Sequence, residues 1–424
     1  MFFCRPLSTS KRFSVSRKID DTFSFTLFEK ADNVDSAQWT SICGPDHVFF
    51  NLRFLALIEH GTHAHLQCRY AIIYHRHQPC GIMYFQVTDF NAGVFGDLLN
   101  HEVNDLTKTR RNLFRRYIQA NRHEVLMRLF TCGNNLVSGQ YGMMNNDLVD
   151  EETFNCLALE ITRVVSKEEK LRGTISAVLL KDFRQPLTPL KSMVEEKFQP
   201  FNVEPNMLVE IPQGVSGLNE YISLFSKKYR NRAKKILEAS SSLRHIHLDY
   251  EGIKTHEKEI YSLYEQLFEK AKFKLIKLPL NYFSEMKKIF GQRFILRISR
   301  LEEKIVSFYS CILMEDDTLE AHYVGLNYEK NPEFDLYQNI LYALIQEALR
   351  HQLSRVNLGR TAAEIKSTVG ARPEELICYI RPQNLISGMM QKPFIQFLQP
   401  GQWIRRNPFS EEKQTAPEIQ FGKK

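Results

Sequence analysis

The chain has 424 residues, more than one hydrophobic core organises, so two domains are expected. At 43% hydrophobic and 25% charged residues it has the composition of a folded globular protein, which excludes collagenous and wholly disordered chains. A net charge of +7 favours anionic ligands but is too small to argue for nucleic acid, and no apolar run approaches the roughly 18 residues of a membrane-spanning helix.

The first 18 residues hold five Lys or Arg, four Ser and no acid. They resemble a transit peptide in composition but lack the apolar core of a secretory signal. We read residues 1–20 as a basic segment, disordered or strand-like. Asp46 to Gly61 reads as a helix, Tyr70–Tyr74 and Gly81–Val87 as a hairpin, and 97–121 as a polar insertion with a basic cluster. Val125–Phe130 is a strand, and Cys132–Gly142 a glycine-bearing loop or strand. Glu151–Lys170 is a helix closed by Gly173, and Ile175–Leu180 a buried-type strand. Phe198 to Pro205 looks like a crossing segment before a strand at Asn206–Ile211.

The second half repeats that order. Leu218 to Ser241 is expected as one long helix, followed by helices at Glu257–Lys272 and Pro279–Phe290. Strands follow at Phe294–Ser299, Ile305–Met314 and Leu319–Leu326. Asp335–Arg350 is a helix with apolar pairs every four residues, and Arg355–Leu358 and Glu375–Arg381 are the last strands. The tail after about residue 405 reads as disordered. The expected fold class is α/β (α+β): two domains, each a mixed, mostly antiparallel sheet flanked by helices, over 21–200 and 201–385, with a C-terminal extension over 386–424.

Eight cysteines without Cys-x-x-Cys spacing read as free thiols in a reducing compartment, so a cytoplasmic location is expected. His60, His63, His65, His75 and His77 fall past a helix end and in a hairpin turn, with no carboxylate or Cys at ligand spacing, so no metal is expected. In the run Lys227-Lys-Tyr-Arg-Asn-Arg-Ala-Lys-Lys235 most cations are solvated, but Arg232 falls within the apolar stripe and needs an anionic partner. Strict alternation in Leu319–Leu326 puts Glu320, His322 and Val324 on one face, where Glu320 or His322 could serve as a base. The stretch Leu358 to Ala371 combines Gly359 and Gly370 with Arg360, Lys366, Ser367 and Thr368. That set suits either a connector or the rim of an anion site.

Four stretches together resemble the Gcn5-related N-acetyltransferase (GNAT) superfamily, in its tandem-domain branch of Fem-like peptidyltransferases and their acyl-CoA-dependent relatives. They are Tyr221–Lys235, Tyr323-Val-Gly-Leu, Leu336-Tyr-Gln to Leu349, and Leu358-Gly-Arg-Thr to Lys366-Ser-Thr-Val-Gly-Ala. The likeness spans about residues 205 to 385 and reaches 48–180 by element order. It implies two GNAT-like domains, each with a sheet that splays near its centre to admit the acyl donor. The chain has no Arg/Gln-x-x-Gly-x-Gly/Ala loop between Tyr328 and Asn339, and no long coiled-coil arm of the kind the bridge-forming enzymes carry.

The resemblance implies an N-acyltransferase that moves an acyl group from acyl-CoA, as co-substrate, to an amine acceptor, either a small molecule or a peptide or cell-wall precursor. An aminoacyl-tRNA-dependent peptidyltransferase and a non-catalytic binding protein of the same fold are the alternatives. No nucleic-acid partner other than tRNA is expected. Proton removal falls to Glu320 or His322, and Tyr323 or Tyr337 lies near the leaving group. Arg232, Tyr337, Gln338, Arg360, Lys366 and Gly370 are expected to bind substrate or donor.

Overall fold

The computed structural model describes residues 14–62, 66–91, 126–188, 190–270 and 276–410. The polar insertion expected at 97–121, together with His63 and His65, lies outside the described residues, as does the chain from 411 onward.

Each half begins with antiparallel strands. The first has β1 (Ser14–Lys18), β2 (Phe23–Phe28), β3 (Leu66–His75), β4 (Gln78–Asn91) and β5 (Leu126–Cys132), with the short β6 (Met143–Asn145) beside β4. The helix Glu151–Arg172 then crosses to β7 (Ala177–Phe183), and β8 (Gln199–Glu210) follows. Asp150 caps that helix by accepting from Thr153 N at 2.9 Å, and Gly173 ends it. The second half has β9 (Arg244–Leu248), β10 (Phe294–Leu301), β11 (Lys304–Leu313) and β12 (Thr318–Leu326). The helix Leu336–Arg350 crosses to β13 (Arg355–Asn357), and β14 (Arg372–Pro382) follows. Both halves therefore share one plan, a mixed, mostly antiparallel sheet flanked by helices. Among the described pairings only β5–β7 and β12–β13 are parallel.

The strand order is β1-β2-β3-β4-β5-β7-β14-β8-β13-β12-β11-β10-β9. Each half thus gives its last strand to the other: β14 pairs with β7, and β8 with β13, while β8 and β14 pair at the centre. A boundary at 200/201 falls inside β8. The halves also share a core. Phe49, Phe54 and Leu55 from the first pack in one buried cluster with Tyr282, Phe283 and Phe308 from the second.

Five expectations change. Residues 198–205 do not cross over but form the first part of the 12-residue β8. The helix expected over 46–61 begins at Leu52, where Asn51 caps it, and Val48 and Phe49 are buried ahead of it. The long helix splits into Leu218–Ser223 and Lys227–Ala239, because backbone groups at the break bond the chain's tail: Ser226 N donates to Pro408 O and Ser410 N to Leu224 O. The tail is therefore ordered through residue 410, with Phe409 packed edge-on against Tyr221 and Phe225. Restarting the helix at Lys227 turns Ala233 and Ile236 inward and leaves Arg232 exposed, so its expected inward placement is wrong.

Gly370 lies beneath that tail at φ +100, and a Cβ there would fall 2.5 Å from Tyr221 Oη and 2.9 Å from the Phe409 ring. It serves packing rather than ligand approach, contrary to expectation. Gly370→Ala is expected to cost about 1–3 kcal/mol by overpacking in left-handed backbone, read as a lowered urea midpoint. An unchanged midpoint would contradict this packing role.

Candidate active site

β12 and β13 pair over three positions only: Thr318 with Arg355, Leu319 with Val356, and Glu320 with Asn357. β12 then runs on to Leu326 while β13 has ended, so the sheet forks after Glu320. In the first half β5 ends at Cys132, still paired with Leu180, and no comparable length of strand runs free.

Glu320 stands at the apex of the fork, 6% exposed. Its Oε2 accepts from Asn357 Nδ2 at 2.8 Å, and Asn357 is oriented in turn by accepting Gly359 N–H at 2.9 Å through Oδ1. Burial pushes the Glu320 carboxyl up to about 8. The Asn357 hydrogen bond opposes that shift, and the nearby Asp316 and Glu374 add to it.

Immediately beyond Glu320 the strand bulges. Tyr309 pairs with Val324 and Cys311 with Ala321, so β12 carries one residue more than β11. Ser310 Oγ bonds both Tyr323 N and Tyr323 O across the bulge. The bulge corrects the expected alternation. Val324 turns to the face of the helix Leu336–Arg350, while Tyr323 joins His322 on the opposite face. There His322 Nε2 lies 2.7 Å from Tyr282 Oη, and burial pushes its imidazole down to about 3. A neutral ring held by a buried tyrosine is a poor proton acceptor beside Glu320. The Tyr323 hydroxyl, raised by burial, donates to Leu136 O at 3.0 Å.

That carbonyl belongs to the first half's loop after β5, which lies against the fork. Val137 O accepts from Lys181, and Gly139 N donates to Asp182 at 3.0 Å. A second bulge, in β7, presents Lys181 and Asp182 together, with Asp182 at φ +66. Arg360, in the loop after β13, pairs with Asp182. Burial alone would raise the Asp182 carboxyl, but Lys181 and Arg360 hold it well below the usual carboxylate range.

Arg360 lies on the wall of a cavity of about 690 Å³ between the halves. Lys366 does not reach it. Its ammonium, 4% exposed, donates to Gly359 O at 3.1 Å and Arg360 O at 2.5 Å. It thus braces a loop in which Gly359, Thr361 and Ala362 all have positive φ. Burial pushes its amine down to about 7.

Tyr337, raised to about 12 by burial, and Gln338, whose Oε1 is buried with no partner among the described residues, open the helix Leu336–Arg350. That N-terminus has no side-chain cap on Asp335. The fork therefore brings together Glu320, His322 and Tyr323. Arg360 lines the cavity, whose described lining includes none of these three, and Arg232 is exposed. Sequence reasoning missed Asn357, Ser310, Lys181 and Asp182. Only the register of β13 against β12 reveals the first of these.

No family model and no curated protein matches the chain. Among solved structures, it is similar to FemX at 12% identity, covering 84% of this chain and 96% of that one, with a TM-score of 0.47. It is similar to a tandem GNAT protein from the clavulanic acid biosynthesis pathway at 6% identity, covering 85% and 98%, with a TM-score of 0.48. The C-terminal domain of a putative lysylphosphatidylglycerol synthetase from Agrobacterium fabrum matches at 8% identity, covering 85% and 95%, with a TM-score of 0.46. At these identities and scores none of them bears on what the site does.

Two buried groups give stability opposite pH slopes. Between 4.5 and about 8 native Glu320 keeps a proton that the unfolded chain has lost, so stability falls as pH rises through that window. Between about 7 and 10.5 unfolded Lys366 holds a proton that the native state lacks, so stability rises there. Urea midpoints from about pH 5 to about pH 10 should show Glu320→Gln gaining on the wild type toward pH 8 and Lys366→Met losing the alkaline rise. Curves parallel to the wild type would contradict both assignments.

Proposed function

We propose that this protein is an acyltransferase that moves an acyl group from an acyl-CoA thioester to an amine, with Glu320 as proton acceptor. The observation that carries this reading is the buried carboxyl at the fork's apex, poised near 8. A general base is most effective when its pKa lies near the working pH.

The donor would lie along the free edge of β12, where residues 321–326 have no strand beside them on the β13 side. Backbone groups on that edge, other than those of Tyr323 that Ser310 holds, would pair with amides of the donor's arm. Its phosphates would meet the start of the helix Leu336–Arg350, where N–H groups other than that of Tyr337, which donates to Asn331 Oδ1, and the helix dipole favour anions. The amine nitrogen attacks the thioester carbonyl carbon, the C–S bond breaks, and the amine proton passes to Glu320 directly or through one water. Tyr337 supplies a proton to the departing thiolate. Tyr323 is committed to Leu136 O.

An aminoacyl-tRNA donor is the second reading. It is favoured by the exposed cations Lys227, Lys228, Arg232, Lys234 and Lys235 on one helix. The seven described cysteines are free thiols, which suits the cytoplasm, and no described helix is long and apolar enough to cross a membrane.

Thiol release from acyl-CoA in the presence of candidate amines tests the reading. Glu320→Gln should lower kcat/KM by about 100- to 10,000-fold. Wild-type kcat/KM should rise through an apparent pKa of about 8. Asn357→Leu, by removing a hydrogen bond that favours the carboxylate, should move that limb to higher pH. Full activity in Glu320→Gln would overturn the assignment.

A further inference from the structure

We propose that the cavity between the two halves binds an anionic amphiphile, an apolar chain carrying one carboxylate or phosphate head. The inference rests on the proposed function only in taking that ligand to be a substrate or product. Binding stands on the cavity itself.

At about 690 Å³ the cavity falls in the size range of small-molecule sites. Its floor is the central sheet where the two halves exchange strands. Leu179 of β7 and Phe201 and Val203 of β8 point into it, each 6% exposed or less. Phe394 and Leu398, from the helix Leu385–Leu398, close the far wall. Walls of this kind offer water few partners, so water alone is a poor occupant for most of the volume.

The polar end is a different surface. Lys181, Asp182 and Arg360 meet there, and Lys270 stands at the rim, its ammonium 3.3 Å from the centre of the Tyr328 ring. Lys181 is engaged by Val137 O and Asp182, and Asp182 takes one end of the Arg360 guanidinium. Arg360 Nε is buried and has no acceptor among the described residues. A buried donor left unpaired is costly, and the usual explanation is a bound water or ion. An anionic head on Nε, in the cavity that Lys270 also lines, satisfies that donor while its chain covers the apolar walls. Three cations face two carboxylates here, counting Glu204, so the end of the cavity carries an excess of positive charge.

The test is equilibrium binding to the purified full chain, read by displacement of a fluorescent polyene fatty acid. We expect saturable binding of one equivalent, displaced by oleate or by lysophosphatidate and not by uncharged monoolein. Preference between the first two identifies the head as carboxylate or phosphate. Arg360→Met should weaken binding at least tenfold. Val203→Phe, which narrows the apolar end while sparing the charges, should weaken oleate at least tenfold and leave octanoate within threefold. Glu320→Gln should bind as the wild type does. Absence of saturable binding, equal displacement by monoolein, or unchanged affinity in both Arg360→Met and Val203→Phe would overturn the proposal. If binding fails while Glu320-dependent transfer persists, the amphiphile proposal falls alone. If binding holds but transfer is absent, the proposed function falls instead.

Discussion

β12 and β13 are held together over three residues because β13 is only three residues long: Gly359, two positions past its end, takes the chain into left-handed backbone. The rest of the site follows from that short pairing. Glu320 occupies its last position, so its carboxyl sits where the sheet is closed on one side and open on the other. Asn357, its partner in register, is the only side chain among the described residues that donates to it. One hydrogen bond does not offset burial, and the carboxyl moves from 4.5 to about 8, a preference for the neutral form of roughly 5 kcal/mol at 1.36 kcal/mol per unit. The bulge just beyond it sets His322 and Tyr323 side by side, and Ser310 satisfies the displaced backbone.

Strand exchange gives the fork its surroundings. Because β14 lies beside β7 and β8 beside β13, the loop after β13 is brought up to the β7 bulge, and Arg360 meets Asp182 from the other half. Lys366 keeps that loop in shape by donating to two of its carbonyls, at the cost of a buried amine pushed down to about 7. Of the two cations expected to bind substrate or donor from this loop, Lys366 is thus spent on the backbone and Arg360 faces the cavity.

Most elements were legible because their periodicity is strong. The pairs at 336/337, 340/341, 344/345 and 348/349 do form the crossing helix, and the hairpin over 66–91 appears as expected, only longer. What failed depended on contacts remote in sequence. The apolar stripe from Leu218 to Ile236 is continuous, yet residues 408–410 compete for the backbone at Leu224–Ser226 and break the helix. Alternation along β12 was sound as far as Glu320, but a bulge is set by the partner strand and cannot be read from one strand alone. Asp182 escaped notice for a similar reason: its partners Lys181, Gly139 and Arg360 are gathered by a bulge and an exchanged strand.

Its place at the fork raises the Glu320 carboxyl to about 8, so that its ionised form is a strong proton acceptor near physiological pH. Carboxyl-region infrared difference spectra of wild type against Glu320→Gln, recorded across a pH titration, measure this directly. A protonated carboxyl band that is absent from the variant and titrates at about 8 is the predicted result. A Glu320 band that has already ionised near the ordinary value of 4.5 would contradict the account.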